Sequence, residues 1–550
     1  MIQGAPDPRE TASLLRSEKA KTAPTRNSDE RSPKTPPAAL IGAGWVVVFV
    51  LLYLRASIEV ARNSPLDPDE VFVKWIVHYF PGWRVMDALR MGLDSLPPAY
   101  YWLAQGCSAM LGQTSLAIRL PAILGFSLFP LSGFWLLCKR VDWRIAVAAM
   151  FFTAVSSAAW ASTMGRPYGI VVGGFSVAAA AWVDLPNSRH RILRCFLIAG
   201  GLAVGIAVHF LAIYEVGALA VAEVIRSWSM RRIRWDCWIA LAGGSATLLL
   251  WLPLIAPIYR STHVSVQSPG FYAKATLGRL FSFLVDILAG SGTEQVVLVL
   301  LSILVPMVLV AASVRSGREV EEETPGADEA QHRGRWRELD ILVIAAFTLP
   351  GIAYVATHWV GSFNERYFIA AALGVMLLLA RGLDALPWGA KVAWVVLIAS
   401  AMRLLSAGAI PQPIDARTAM VENAPESLPI LVASGSDFFY LSEALPPSKL
   451  QQINFAGMPQ GYASPDTEPE IIAGRWKAAV PSMPIDTWDG WVRRHRVFYV
   501  LSSTDPREGL TGWLSVHEHP VLVAHDGRCW LFKVTLNDES AETAGAKPAM

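Results

Sequence analysis

Apolar and polar positions in this chain sort into long blocks. An uncharged run begins at about Leu40–Tyr53, and others recur near 118–138, 145–164, 167–183, 195–209, 211–225, 237–257, 295–314, 341–357, 367–380 and 388–408. A helix that crosses a bilayer needs roughly 17–25 mostly apolar residues, so the pattern predicts about eleven spans. The stretch 195–225 is long for one span and short for two. Arginines flank it on both sides: Arg189, Arg191 and Arg194 before it, Arg226, Arg231, Arg232 and Arg234 after it. Basic flanks collect on the cytoplasmic face, so both ends belong there. This predicts a tight hairpin with His209, Tyr214 and Glu215 near its outer tip. Residues 97–112 are apolar too. They read as a juxtamembrane helix at the outer face, with Tyr100, Tyr101 and Trp102 at headgroup depth.

Charge sets the sidedness. The inner segments of this layout hold 24 Lys and Arg, and the outer loops before the C-terminal region hold nine. The N-terminus is therefore expected in the cytoplasm and the C-terminus outside, in the cytoplasmic (inner) membrane of the cell. The expected division is a disordered cytoplasmic tail (1–37), a transmembrane domain (38–410) with large outer loops at 59–116 and 258–294, an extracytoplasmic α/β domain (411–535) and a disordered tail (536–550). In the α/β domain, 429–433, 497–501, 521–524 and 529–534 read as strands, and 468–479 and 485–495 as helices. His525-Asp526-Gly527-Arg528 reads as a hairpin turn. The expected fold class is mainly α, a polytopic membrane protein with a small C-terminal α/β domain.

Composition narrows the functions. Hydrophobic residues make up 53% and charged residues 17%, with a net charge of +2. Soluble chains carry about 25% charged residues. A soluble enzyme, a disordered scaffold and a nucleic-acid binder working through a basic field are excluded. Five Cys exclude a disulfide-rich module. No P-loop, dinucleotide fingerprint or zinc-ligand spacing is present.

The remaining chemistry lies on the outer side. Asp67-Pro68-Asp69-Glu70 opens the first outer loop. Carboxylates there can serve as a general base or hold a divalent cation; the plainer alternative is a helix cap, with Asp67 before Pro68. Arg166 is the one charge between about Arg144 and Asp184. It reads as a binder of lipid phosphate or as a side chain reaching the headgroups. Arg366, in Asn364-Glu365-Arg366-Tyr367, has the same logic, pairing with Glu365 or with a phosphate. His209 lies near the same face.

In order along the chain stand Asp69-Glu70, Pro97-Pro98-x-Tyr100-Tyr101, Ala117-Ile118-Arg119-Leu120-Pro121, Gly165-Arg166-Pro167-Tyr168 and Glu365-Arg366-Tyr367. Together they resemble the GT-C superfamily of polytopic glycosyltransferases. The similarity is greatest to the branch that holds protein O-mannosyltransferases, lipid A aminoarabinose transferases and bacterial lipopolysaccharide-core transferases. The resemblance implies inverting transfer from a polyprenyl-phosphate sugar, at the outer face, to a lipid, glycan or protein. It implies Asp69 as the base with Glu70 in support, and Arg166 and Arg366 on the lipid phosphate. Asp67, Lys74, Tyr100, Tyr101, Tyr168, His209 and Tyr367 complete the expected substrate-binding set. The chain departs from its relatives twice. Leu96, rather than Lys or His, precedes Pro97, leaving that contact missing or supplied by Lys74 or Arg84. Segment 160–168 also lacks the second acid that some relatives carry. No metal ligand is therefore assigned, with a divalent cation at Asp67, Asp69 and Glu70 as an open alternative. Other classes compatible with the sequence are a lipid-carrier flippase or exporter and a non-catalytic membrane scaffold.

Overall fold

A computed structural model describes residues 36–266, 276–280, 282, 327–360, 363–407, 415–457, 467–503 and 509–537. Residues 1–45 and 46–550 are separate units. Of the first, only the start of the helix Pro36–Asn63 is described, and the candidate site lies wholly in the second. Among the described residues, six helices are long and apolar enough to cross a bilayer: Ile41–Asn63, Ser115–Leu137, Arg191–Val208, Arg337–Thr357, Phe368–Ala385 and Gly389–Ser406. Trp235–Leu250 and Leu252–Arg260, bent by 63°, make a seventh if they form one span.

The expected spans meet these and shorter helices, with differences that have local causes. Residues 295–314 lie outside the described residues. The run 145–164 is not one helix but two, Trp143–Thr153 and Ser157–Ser162. At the break the hydroxyls of Thr153 and Ser156 donate to the carbonyls of Met150 and Thr153. Side chains that bond the backbone this way compete with the helical ladder. The run 237–257 likewise breaks where Pro253 follows Trp251-Leu252. Segment 195–225 forms two helices, Arg191–Val208 and Ile213–Met230, joined by a 3-10 turn at Phe210–Ala212.

One helix pair sets the position of the candidate site. A side chain at Gly169 would stand 2.1 Å from the Ala122 carbonyl oxygen, and one at Gly173 would stand 2.1 Å from that of Gly125. The glycines therefore let Tyr168–Asp184 lie directly on Ser115–Leu137. This brings Arg119, near the start of one helix, beside Gly165 and Arg166, just before the other. At the far ends of these helices Lys139 and Arg140 meet Asp184, and Trp182 meets the Arg234–Glu223 pair of neighbouring segments.

The C-terminal region is a six-stranded sheet in the order β3-β2-β1-β4-β6-β5. Its strands are β1 (Ile430–Val432), β2 (Ile453–Ala456), β3 (Ile485–Asp486), β4 (Val497–Ser502), β5 (Val521–His525) and β6 (Trp530–Thr535). β1 to β4 run parallel, and β6 is antiparallel to both β4 and β5. Strands at β2 and β3 are additions to the sequence reading; they are four and two residues long, too short to show a period.

This sheet domain does not stand clear of the rest. The helix Pro68–Tyr79 in the first outer loop packs against it. Phe72 meets Phe439 edge-on at 4.8 Å between ring centroids, and Trp75 meets Phe439 and Trp476 at 5.4 and 5.2 Å. Phe72, Val73, Ile76, Phe438, Phe439 and Trp476 belong to one buried core. Full burial of such a side chain contributes about 1.5–3 kcal/mol, so the helix that carries Asp69 is fixed along its length.

Candidate active site

The helix Pro68–Tyr79 begins with a capping box. Asp67 accepts a hydrogen bond from the Asp69 amide at 3.2 Å, and the Asp67 amide donates to Glu70 Oε2 at 2.8 Å. Proline at the first helical position leaves no amide to satisfy. Burial, helped by the charge of Asp69, pushes the Asp67 carboxyl above its usual range.

Glu70 turns inward and is fully buried. Its carboxylate accepts Arg119 Nε at 2.7 Å on Oε1 and Nη2 at 2.6 Å on Oε2. Oε1 also accepts the Gly165 amide. Arg119 completes its bonding on the carbonyls of Ala61, Ser64 and Pro65, at 3.0, 2.9 and 2.8 Å. A side chain at Gly165 would come within 2.6 Å of Ile118 Cγ2 and 3.1 Å of Glu70 Oε1. Glu70, Arg119 and Gly165 thus staple together the end of the first span, the outer loop and the turn before Arg166. In sequence Arg119 stands in the motif Ala117-Ile118-Arg119-Leu120-Pro121, but nothing local marks it as the partner of Glu70.

Asp69 points elsewhere. Its Oδ2 accepts Arg366 Nη1 at 3.1 Å, and Oδ1 lies 3.5 Å from Arg166 Nη2. Its side chain is 35% exposed, that of Arg366 25% and that of Arg166 8%. Arg366 opens a 3-10 turn, Glu365–Ala371, capped by Asn364, whose Oδ1 accepts the Arg366 amide at 3.1 Å. Three segments far apart in sequence therefore meet at one half-open carboxylate.

Behind Arg166 stands Asp94, whose Oδ2 accepts Nη1 at 2.6 Å, with its side chain 4% exposed. Sequence reasoning passed over this residue, although Asp94 is a lone carboxylate two residues before Leu96, at the place where relatives carry a basic side chain. Arg166 Nε has no acceptor among the described residues.

Of the other expected binding residues, Tyr100, Tyr101, Tyr168 and His209 lie within electrostatic reach of Arg166, whereas Lys74 does not join them. Lys74 forms an ion pair with Glu443 in the sheet domain and turns away from Asp69. Arg84, the other substitute cation for the Leu96 position, is exposed and lies over the ring of Phe80. Tyr100 and Tyr101 are fully buried. The Tyr100 hydroxyl donates to the Ile118 carbonyl at 3.0 Å. Burial, with the neighbouring Asp94 charge, pushes the Tyr101 hydroxyl well above the usual tyrosine value. Tyr168 is buried, its ring 5.7 Å from that of His209. His209 Nδ1 accepts the Leu211 amide at 3.1 Å, and burial with the Arg166 charge pulls its pKa down to about 3. It is a neutral imidazole, not a cation for phosphate. Tyr367 lies in the 3-10 turn, its side chain outside the described residues.

Asp67, Asp69 and Glu70 do not converge on a common point, and among the described residues no three His, Cys, Asp or Glu side chains gather as a metal site. The cluster that does form, Asp69 with Arg166, Arg366 and Asp94, can hold an anion on its guanidiniums and receive a proton on its one open carboxylate.

No protein-family model matches this sequence, and no curated protein matches it. Solved structures do. ArnT from Cupriavidus metallidurans bound to undecaprenyl phosphate is similar at a TM-score of 0.51 and 13% identity, over 89% of this chain and 98% of that one. The same protein in the apo state gives 0.51 and 13%, over 92% and 100%. The Archaeoglobus fulgidus oligosaccharyltransferase in the apo form is more distant, with a TM-score of 0.44 and 12% identity over 84% and 69%. The chain shares its fold with ArnT: mainly helical, with several helices long and apolar enough to cross a bilayer and a small C-terminal α/β domain, the fold class expected from the sequence.

Proposed function

We propose that this chain is a membrane glycosyltransferase that moves a sugar from a polyprenyl-phosphate donor to an acceptor at the outer face of the cytoplasmic membrane, with inversion. The carrying observation is Asp69 between Arg166 and Arg366, at 3.5 and 3.1 Å, on a fold shared with a protein solved with undecaprenyl phosphate bound. An acceptor hydroxyl attacks the anomeric carbon, and its proton passes to Asp69. The bond from that carbon to the phosphate oxygen breaks, and the electron pair leaves on polyprenyl phosphate. The leaving anion needs fixed cations, which stabilise it as its charge develops. Arg366 and Arg166 fill that role, with Arg166 Nε–H unused by any described residue. The sugar and the acceptor, whether lipid, glycan or protein, stay open.

The outer placement is supported by geometry. The sheet domain, Asp69, Arg166 and Arg366 share one end of the helices, and the clustered Lys139, Arg140 and Arg234 occupy the other. Reporter fusions after residues 330 and 420 should lie on opposite sides of the membrane. The activity is tested in proteoliposomes with a panel of polyprenyl-phosphate sugars and an envelope acceptor fraction, reading released polyprenyl phosphate and sugar on the acceptor. Release from none of them by well-folded protein would sink the proposal.

A further inference from the structure

Two acids face each other across a single side chain in this site. Arg166 gives Nη1 to Asp94 at 2.6 Å and lies with Nη2 3.5 Å from Asp69. We propose that the guanidinium of Arg166 is the resident cation of the site, standing between Asp69 and Asp94 where a divalent ion would otherwise bind, and that sugar transfer proceeds without a metal. The inference rests on Asp69 being the proton acceptor of the proposed reaction.

Three observations carry it. The first is occupancy. A cation bridging the two acids would have to expel an arginine side chain that is 8% exposed, hydrogen-bonded to Asp94 and ion-paired with Asp69. The remaining oxygen of Asp69, Oδ2, is taken by Arg366. Glu70, the nearest further acid in sequence, is engaged by Arg119 and the Gly165 amide. Among the described residues, the acids nearest Asp69 and Asp94 are thus already engaged, and a bridging ion would have to displace these partners.

The second is charge. Asp69 and Asp94 are matched by Arg166 and Arg366, two against two. In the free site a divalent ion would therefore add its charge beside two guanidiniums at short range, where the effective dielectric is low.

The third is hydrogen-bonding capacity. A guanidinium carries five N–H donors in one plane. Arg166 directs two nitrogens at carboxylates and keeps Nε–H without an acceptor among the described residues, although the group is buried. A buried donor left unpaired is costly, and a phosphate oxygen would satisfy it. One side chain can then hold the base in place and take the leaving phosphate, the two tasks a bridging metal would perform. Asp94, closed to solvent at 4% exposure against 35% for Asp69, is the positioning residue that anchors this cation.

The test uses the full-length protein and Mn²⁺ as the probe. Transfer by the parent protein should be unchanged after EDTA treatment, and electron paramagnetic resonance titration should show no stoichiometric Mn²⁺ site. Arg166→Ala and Arg166→Gln each vacate the space between two carboxylates. At least one should gain a single Mn²⁺ site that disappears when Asp94→Asn is added. Loss of parent activity in EDTA with recovery on Mn²⁺ would overturn the inference and leave the glycosyltransferase reading standing. A parent Mn²⁺ site lost on Asp94→Asn would overturn it as well, and that measurement needs no cavity variant to fold. A parent protein that transfers no sugar under any condition refutes the proposed function instead, and the Mn²⁺ titrations still decide whether Arg166 holds the cation position.

Discussion

Glu70→Gln should destabilise the outer face far more than it alters the chemistry, and the size of the effect follows from the contacts. The carboxylate accepts four hydrogen bonds: two from Arg119, one from the Gly165 amide and one from the Asp67 amide. Glutamine keeps the shape but replaces one acceptor by a donor, which must face an N–H of Arg119, Gly165 or Asp67. It also leaves the guanidinium, 5% exposed, without its counter-charge. Breaking a buried ion pair from one side costs about 3–5 kcal/mol. Arg119 retains three backbone carbonyls, so the lower end, about 3 kcal/mol, is expected. A typical fold has only about 5–15 kcal/mol in total. Tryptophan-fluorescence melting in detergent should show a clearly lowered midpoint. The double variant Glu70→Gln/Arg119→Met should lose much less than the sum of the single variants, because the second change removes the stranded charge. Parent-like melting of Glu70→Gln combined with lost turnover would refute this account and make Glu70 part of the chemistry.

Asp69→Asn should reduce turnover by about 10²–10⁴-fold with melting and donor binding retained, since an amide cannot take the acceptor proton. Asp67→Asn should cost only a cap, about 0.5–2 kcal/mol; parent-like turnover in Asp69→Asn beside a dead Asp67→Asn would reassign the base. Arg366→Ala should weaken donor binding by about 2 kcal/mol, roughly 30-fold, the lower end for a charged contact because the side chain is a quarter exposed. Unchanged donor saturation would remove the phosphate-clamp role. His209 gives a pH prediction. Its folded pKa, about 3, lies below its ordinary value of 6.5, so between these the unfolded chain binds the extra proton and acid favours unfolding. Stability from this source is intact above pH 6.5 and falls by about 2 kcal/mol by pH 5. His209→Gln should melt with a shallower dependence between pH 7.5 and 5, and equal slopes in the two proteins would exclude the effect.

What the sequence made legible was governed by burial in lipid. Runs such as 341–357 and 388–408 are continuous because every side chain facing lipid must be apolar, and they coincide with the helices Arg337–Thr357 and Gly389–Ser406. The breaks at 154–156 and 251 are less legible, because hydroxyl bonding to the backbone and a single proline act locally within apolar text. The site was legible in part. Arg166 and Arg366 could be singled out because an isolated charge near a span end is costly without a partner, and the family resemblance sets Asp69 apart from Asp67 and Glu70. Their actual partners were not legible. Asp94 meets Arg166 across 72 residues and Arg366 meets Asp69 across 297, distances at which no local period carries information. Lys74 shows the converse. Its charge suggested a substrate contact, yet its partner is Glu443, 369 residues away in a domain whose packing on the outer loop had no local sign.

The division of labour among Asp67, Asp69 and Glu70 follows from helix geometry. In sequence they form one acidic patch, which suggests a shared cation or a mutually perturbed pair. A helix starting at Pro68 separates them, because successive side chains turn by about 100° around the axis and the cap residue stands outside it. Asp67, at the cap, folds back on the Asp69 amide. Glu70, at the third helical position, swings inward to Arg119 and reaches back to the Asp67 amide. Asp69 lies on the remaining side, where its ion-pair partners among the described residues are Arg166 and Arg366. The two flanking acids thus use their charge to fix the first helical turn, while the packing of Phe72 and Trp75 on the sheet domain fixes the rest of the helix. A general base needs such support because misplacement of about 1 Å costs roughly 10²-fold in rate. On the proposed reading, three carboxylates stand in sequence where one does the chemistry because the other two hold it in place.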